Sequence, residues 1–197
     1  MDVRTLTGLF GMLCVSAALL TACGGEQENL QPVTQPQQLF MLSADGVGPL
    51  NADTPFNLVR IGQAFQDYNV AEETHFLKGD KYPVITVKQK VTPLLSINPD
   101  HRQQDVFSIV VHSNLIGNRL GHRLGDKYSE IYTYGKTEEC GPGIEEWAGK
   151  VMCYAPQTGN ILYLFAGSRG DDEKLLPAPE VMADWELEAI VWKPPGR

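Results

Sequence analysis

The sequence predicts an α+β fold that is rich in antiparallel β structure, arranged as two similar helix-plus-β-meander units. Three observations predict it. A start signal at Asp53-Thr54-Pro55 precedes Leu58, Ile61, Phe65 and Tyr68, whose three- and four-residue spacing marks one buried helix face. The period then drops to two in YPVITVKQ (82–89), LLSI (94–97) and VFSIVVH (106–112), which are β-branched and alternating. The same order returns after Leu124-Gly125-Asp126, with a short helix over 127–132 followed by strands over 150–155, 161–166 and 186–192. Setting VITVKQ against KVMCYA, LLSI against ILYL and FSIVVH against EAIVWK gives repeats over 54–113 and 124–193.

Taken in order, the folded part begins near Leu39. Asp45-Gly46-Val47-Gly48-Pro49 is dense turn chemistry. Asp53 or Thr54 caps the first helix, with Pro55 at its first position, where a missing N–H is harmless. Gly62 within that helix costs about 1 kcal/mol relative to Ala, which implies a close neighbour. Residues 70–77 form a further strand, joined to the next by a turn at Lys78-Gly79-Asp80. In the second unit Asp126 caps the helix, and the turn 156–160 (PQTGN) returns the chain into the 161–166 strand. Residues 194–197 are a tail.

Upstream of the domain the chain changes character. An apolar run from Leu6 to Leu20 ends in Leu20-Thr21-Ala22-Cys23, then Gly24-Gly25. The run is too short for a bilayer span, which takes roughly 20 apolar residues, and it reads as a signal peptide over 1–22. The junction resembles the lipobox of bacterial lipoproteins, which implies lipidation of Cys23. At about 0.8 kcal/mol per buried CH₂, two or three acyl chains anchor a protein stably. Gly24, where retained lipoproteins tend to carry Asp, favours the outer membrane with the domain facing the periplasm. Residues 23–38, rich in Gln and Pro, form a flexible tether.

Cleavage of the leader removes Cys14 and lipid consumes Cys23, leaving Cys140 and Cys153 in an oxidising compartment, where they pair. Zinc is the alternative, but it wants four ligands and neither a His nor a second Cys pair lies nearby. Other chemistry is sparse. The four histidines, His75, His101, His112 and His122, have no metal-ligand spacing, and Ser129 and Ser168 lack a nucleophile elbow. No metal or other cofactor is implied. Acidic runs at Glu138-Glu139, Glu145-Glu146 and Asp171-Asp172-Glu173 read as solvated loops, although paired carboxylates are also what glycan hydrolysis uses. The segment 116–125 (IGNRLGHRLG) repeats an apolar-Gly pair. It is a tight linker or a backbone nest in which Arg119, His122 and Arg123 bind an anion.

Several of these pieces also carry a resemblance. Gly46-Val47-Gly48-Pro49-Leu50 with Thr54-Pro55, LGDKYSEIY (124–132), the Cys140/Cys153 pair, ILYLFAG (161–167), Leu176-Pro177 and the closing W-x-L-x-x-I-V-W (Trp185 to Trp192) resemble the short proteobacterial lipoproteins described as RpoE-regulated, a family of unknown function. The resemblance covers most of residues 44–193 and implies a periplasm-facing member of the envelope-stress response, without lending catalytic residues.

A formal net charge of −8 argues against nucleic acid as a partner. The expectation is therefore a non-catalytic binding or adaptor protein in envelope maintenance, held to the membrane by its N-terminal lipid, with a periplasmic protein or glycan as partner. An enzyme inhibitor is the alternative, with the loop Gly141 to Lys150 and its Trp147 protruding into a target. A cell-wall or glycan hydrolase is a weaker one.

Overall fold

A computed structural model describes residues 38–133, 139–144, 147–168 and 176–196. Eight strands form one antiparallel sheet: β4 (Asn69–Leu77), β5 (Asp80–Gln89), β6 (Thr92–Pro99), β7 (Val106–Val111), β9 (Cys140–Pro142), β10 (Val151–Tyr154), β11 (Ile161–Ala166) and β12 (Glu186–Trp192). Their order is β4-β5-β6-β7-β12-β11-β10-β9, so each half of the sheet is a four-stranded run of consecutive strands and the halves join through β7 and β12. A smaller sheet, ordered β3-β2-β1-β8, is made by β1 (Phe40–Ser43), β2 (Gly46–Val47), β3 (Leu50–Asn51) and β8 (Ile116–Asn118). Within it β1 and β8 run parallel.

Strand alternation separates the large sheet into two faces. On the inner face one register row crosses all eight strands: Val70, Val87, Leu95, Val111, Ile190, Tyr163, Cys153 and Cys140. A second inner row holds Ile85, Ile97, Ile109, Trp192 and Ile161, all essentially sealed from solvent. The rows are covered by Leu42, Val47 and Leu50 of the small sheet, by Ile61 and Phe65 from the α1 segment (helix Leu58–Ala64), by Tyr128 and Tyr132 around α2 (Tyr128–Ile131), and by Met182 and Trp185 around α3 (Pro179–Met182). Hydrogen bonds fasten cover to sheet: Trp192 Nε1 and Asn160 Nδ2 both donate to the Ala44 carbonyl, at 3.0 and 2.8 Å.

This is a β-rich fold and not the predicted α+β arrangement of helix-plus-meander units. Among the described residues the three helices are seven, four and four residues long, and α3 interrupts the second half between β11 and β12, where the first half has no counterpart. The first helix starts later than Thr54-Pro55 suggests because that backbone is committed elsewhere. Pro55 bridges to Asp105, Phe56 N–H donates to the Gln104 carbonyl, and Thr54 Oγ1 accepts from Asn51 N–H. Asn57 is the cap, its side chain accepting from Arg60 N–H at 3.0 Å. Likewise Asp126 does not cap α2: its carboxylate accepts from Arg123 N–H, while its backbone joins Leu187 at the start of β12. The turn-rich stretch 45–49 holds a short strand, Gly46–Val47, as well as turns. A Cβ on Gly62 would meet open space, so no neighbour packs closely there.

Candidate functional site

The outer face of the large sheet is not uniform. One register row runs Ala71, Thr86, Ser96, Val110, Val191, Leu162 and Tyr154, polar at β5 and β6 and apolar over β7 to β11. On the apolar part Val110, Leu162, Leu164, Ala189 and Val191 form a second buried cluster, with Trp147 and Met152 packed against it. Trp147 gets there because the chain between β9 and β10 folds back over the sheet. Gly143 N–H donates to the Lys150 carbonyl at 2.8 Å, Trp147 N–H to Ile144 at 3.0 Å, and Lys150 N–H to Trp147 at 3.0 Å. Gly143 has no room for a side chain, since a Cβ would run into the Trp147 carbonyl. The disulfide Cys140–Cys153 ties the strands below this loop, joining two residues that face each other in the register. The loop expected to protrude as an inhibitory plug thus places its Trp on the sheet.

Between this loop and the far ends of β5 to β7 lies a groove of about 380 Å³, within the roughly 300–1,000 Å³ of small-ligand sites. Trp147, Met152, Leu162 and Ile144 line one end, and Tyr82, Pro99, Phe107, Asn98, Ser108 and Lys193 the other. Phe107 and Ile144 are 46% and 64% exposed although they border an apolar surface. Lys193 Nζ lies 4.8 Å from the Phe107 ring centroid, a cation–π contact at the rim. Asn98 Nδ2 donates to Ser108 Oγ at 3.1 Å, which leaves the amide oxygen and the hydroxyl hydrogen for a ligand. The site is an apolar, aromatic-walled trough with amide, hydroxyl and ammonium groups at one end.

Beside the groove, Ser96 Oγ and His112 Nε2 are 2.9 Å apart across β6 and β7, a pair the sequence reading missed because the residues lie 16 positions apart. His112 is held below the usual histidine value, first by dehydration of its charged form among the strands and then by Lys150, with Glu188 opposing. The Glu188 carboxylate accepts from Lys150 Nζ at 2.7 Å. Ser96 sits in a strand paired on both sides, so the amides around it are engaged in ladders and none is aimed where an oxyanion would form. On the polar side Glu73 is held below its ordinary value by hydrogen bonds from Lys88 and Thr86.

The residues singled out as an anion nest are arranged differently. Arg119 borders a second, more polar cavity of about 310 Å³ formed by the small sheet, which neither His122 nor Arg123 lines. His122 Nδ1 instead meets the Tyr163 hydroxyl at 2.8 Å, and Asn118 Nδ2 donates to that same oxygen at 2.8 Å. Five N–H groups of the segment have internal acceptors: Arg119 uses the Leu42 carbonyl, Leu120 and Gly121 use Asn118, Arg123 uses Asp126, and Leu124 uses Asn114. Among the described residues no group of three or more His, Cys, Asp or Glu is placed to hold a metal. Cys23, Glu138, Glu145-Glu146 and Asp171-Asp172-Glu173 lie outside the described residues.

Comparison with known proteins adds a family and a fold. The chain is 26% identical over 189 residues to the uncharacterized protein YfeY of Escherichia coli strain K12, covering 92% of this chain and 96% of that one. The crystal structure of the uncharacterized protein yfeY from Escherichia coli superposes with a TM-score of 0.65 at 24% identity, over 78% of this chain and 99% of that one. Residues 26–194 match the profile of the family described as protein of unknown function (DUF1131), and the chain belongs to that family.

Proposed function

We propose that this protein is a non-catalytic binding protein that holds a partly apolar ligand in the groove on the outer face of its large sheet. The observation that carries this reading is the groove itself. Tyr82, Phe107, Ile144 and Trp147 gather apolar surface where folding does not require it, since the inner face already supplies a complete core. The Ser96–His112 pair does not favour hydrolysis, because it lacks backbone donors for an oxyanion. Packing of Trp147 against the sheet weighs against the inhibitor reading.

The lipobox-like Leu20-Thr21-Ala22-Cys23 supports placing this binding protein on the outer membrane, facing the periplasm, through acylated Cys23. Its resemblance to envelope-stress lipoproteins supports a role in envelope maintenance. Two experiments test the reading. Labelled palmitate should be incorporated into the wild-type chain and not into Cys23→Ala. A photo-crosslinking amino acid at Phe107 should trap a discrete species in intact envelopes that the same group at exposed Val91 does not. Identical adducts at both positions would remove the groove from consideration.

A further inference from the structure

We propose that the occupant of the groove is a single-chain amphiphile with a carboxylate head, its hydrocarbon lying against Trp147, Met152 and Leu162 and its head at Lys193. This deepens the binding reading above and rests on it. The lining decides the chemistry of the tail. Met152, Leu162 and Ile144 offer a wall without hydrogen-bonding groups, which suits methylene groups and leaves a sugar's hydroxyls unpaired. A groove near the lower end of small-ligand volumes takes one chain more readily than a two-chain lipid.

Charge decides the head. In a protein of net charge −8, the groove carries one ammonium, and among the described residues no carboxylate pairs with Lys193 Nζ. It rests on the Phe107 ring instead, with the Ser108 hydroxyl and the Asn98 amide also lining that end. An arriving carboxylate would gain a charge-assisted hydrogen bond there. A neutral head would gain none.

Dibromostearic acid tests this directly, because bromine quenches indole fluorescence at short range. Trp185 and Trp192 are buried on the inner side of the sheet, so Trp147 is the indole that reports on the groove. The full chain in phosphatidylcholine nanodiscs should show saturable quenching by the acid, lost in Trp147→Phe. Lys193→Gln should raise the half-saturating concentration about tenfold, the methyl ester of the same chain should bind about tenfold more weakly than the acid, and Lys193→Gln should leave the ester unchanged. Ile144→Asp, at an exposed position where folding should not be affected, should weaken both. Quenching that persists in Trp147→Phe, or equal binding of acid and ester, would overturn the proposal. If the crosslink at Phe107 traps a protein, a glycan or a second copy of this chain while the acid fails to quench, the groove remains a binding site and the amphiphile is wrong. If the crosslink traps nothing distinctive, both readings fall.

Discussion

The two faces of the eight-stranded sheet differ in what they need. The inner face presents two continuous apolar rows and has all of its cover: a second sheet, three short helices and the aromatic residues around them. Among the described residues the outer face is covered by one loop, which carries Trp147, and its apolar patch ends in exposed Phe107 and Ile144. The β4–β6 side of that face carries the polar residues Thr86, Lys88, Ser96 and Glu73 around a buried Val84. The inner face therefore accounts for stability, and the apolar end of the outer face is surplus to it. Surplus apolar surface beside unspent polar groups is the contrast on which the proposed binding role rests.

Truncating an aromatic residue on each face should give the largest difference between them. Trp192 is fully buried and its Nε1 donates to Ala44, so Trp192→Ala should cost about 3–5 kcal/mol. Phe107→Ala, on the outer face, should shift stability by no more than about 0.5 kcal/mol. Urea unfolding of both variants measures the difference. Comparable losses would mean that the outer aromatic residues are part of the core and not a site.

The disulfide connects the two faces. Cys140 and Cys153 end an inner row, yet they tie the hairpin whose loop carries Trp147 across the outer one. Replacing both with Ser should lower stability by about 3 kcal/mol in the chain-entropy account. It should also loosen the groove wall, seen as a red shift of Trp147 emission at denaturant concentrations where Trp185 and Trp192 remain buried. Loss of stability with no change at Trp147 would separate the bridge from the site.

A third test uses the polar cluster beneath the inner face. Burial pushes the Tyr163 hydroxyl up to about 12, with Asn118 opposing and Asp126 reinforcing, so the phenolate is disfavoured in the native state. Its contribution is complete below pH 10 and is lost as pH rises through 10 toward 12. Its partner His122 is shifted downward, first by burial, with Asp126 opposing. Its contribution is present above the unfolded histidine value near 6.5 and is lost as pH falls through the lowered native one. Tyr163→Phe should flatten the alkaline limb of a stability–pH profile, and it should remove a late-titrating component from the tyrosinate absorbance. An unchanged alkaline limb would place Tyr163 outside the pH response.

How much of this was legible follows from the same contrast. The strands of the inner face announce themselves, because VITVKQ, FSIVVH and EAIVWK alternate with β-branched residues whichever partners they find. The helices do not, because their starts depend on which backbone groups are already taken. Nothing local in Thr54-Pro55 says that Asp105 will pair with it. The groove is the least legible part, since Tyr82, Phe107, Trp147 and Lys193 meet only through sheet order. Alternation even misleads here: in VFSIVVH, Phe107 shares the parity of buried Ile109, and it faces outward only because the register shifts between Asn98 and Pro99 opposite it. The Ser96–His112 pair needed knowledge of register that alternation alone cannot give.

The smallest effect is expected in the cover of the inner face. Gly62 lies in α1, whose Ile61 seals the inner face, but a Cβ at Gly62 would point into open space. Its φ is not among the positive ones, so Ala adopts the same backbone without strain. Gly62→Ala should therefore stabilise the protein by about 0.5–1 kcal/mol, through reduced freedom of the unfolded chain and better helix propensity. A rise in the urea midpoint with an unchanged slope is the expected result. A loss instead would mean that α1 is packed on both sides, and that the cover of the inner face is deeper than one layer.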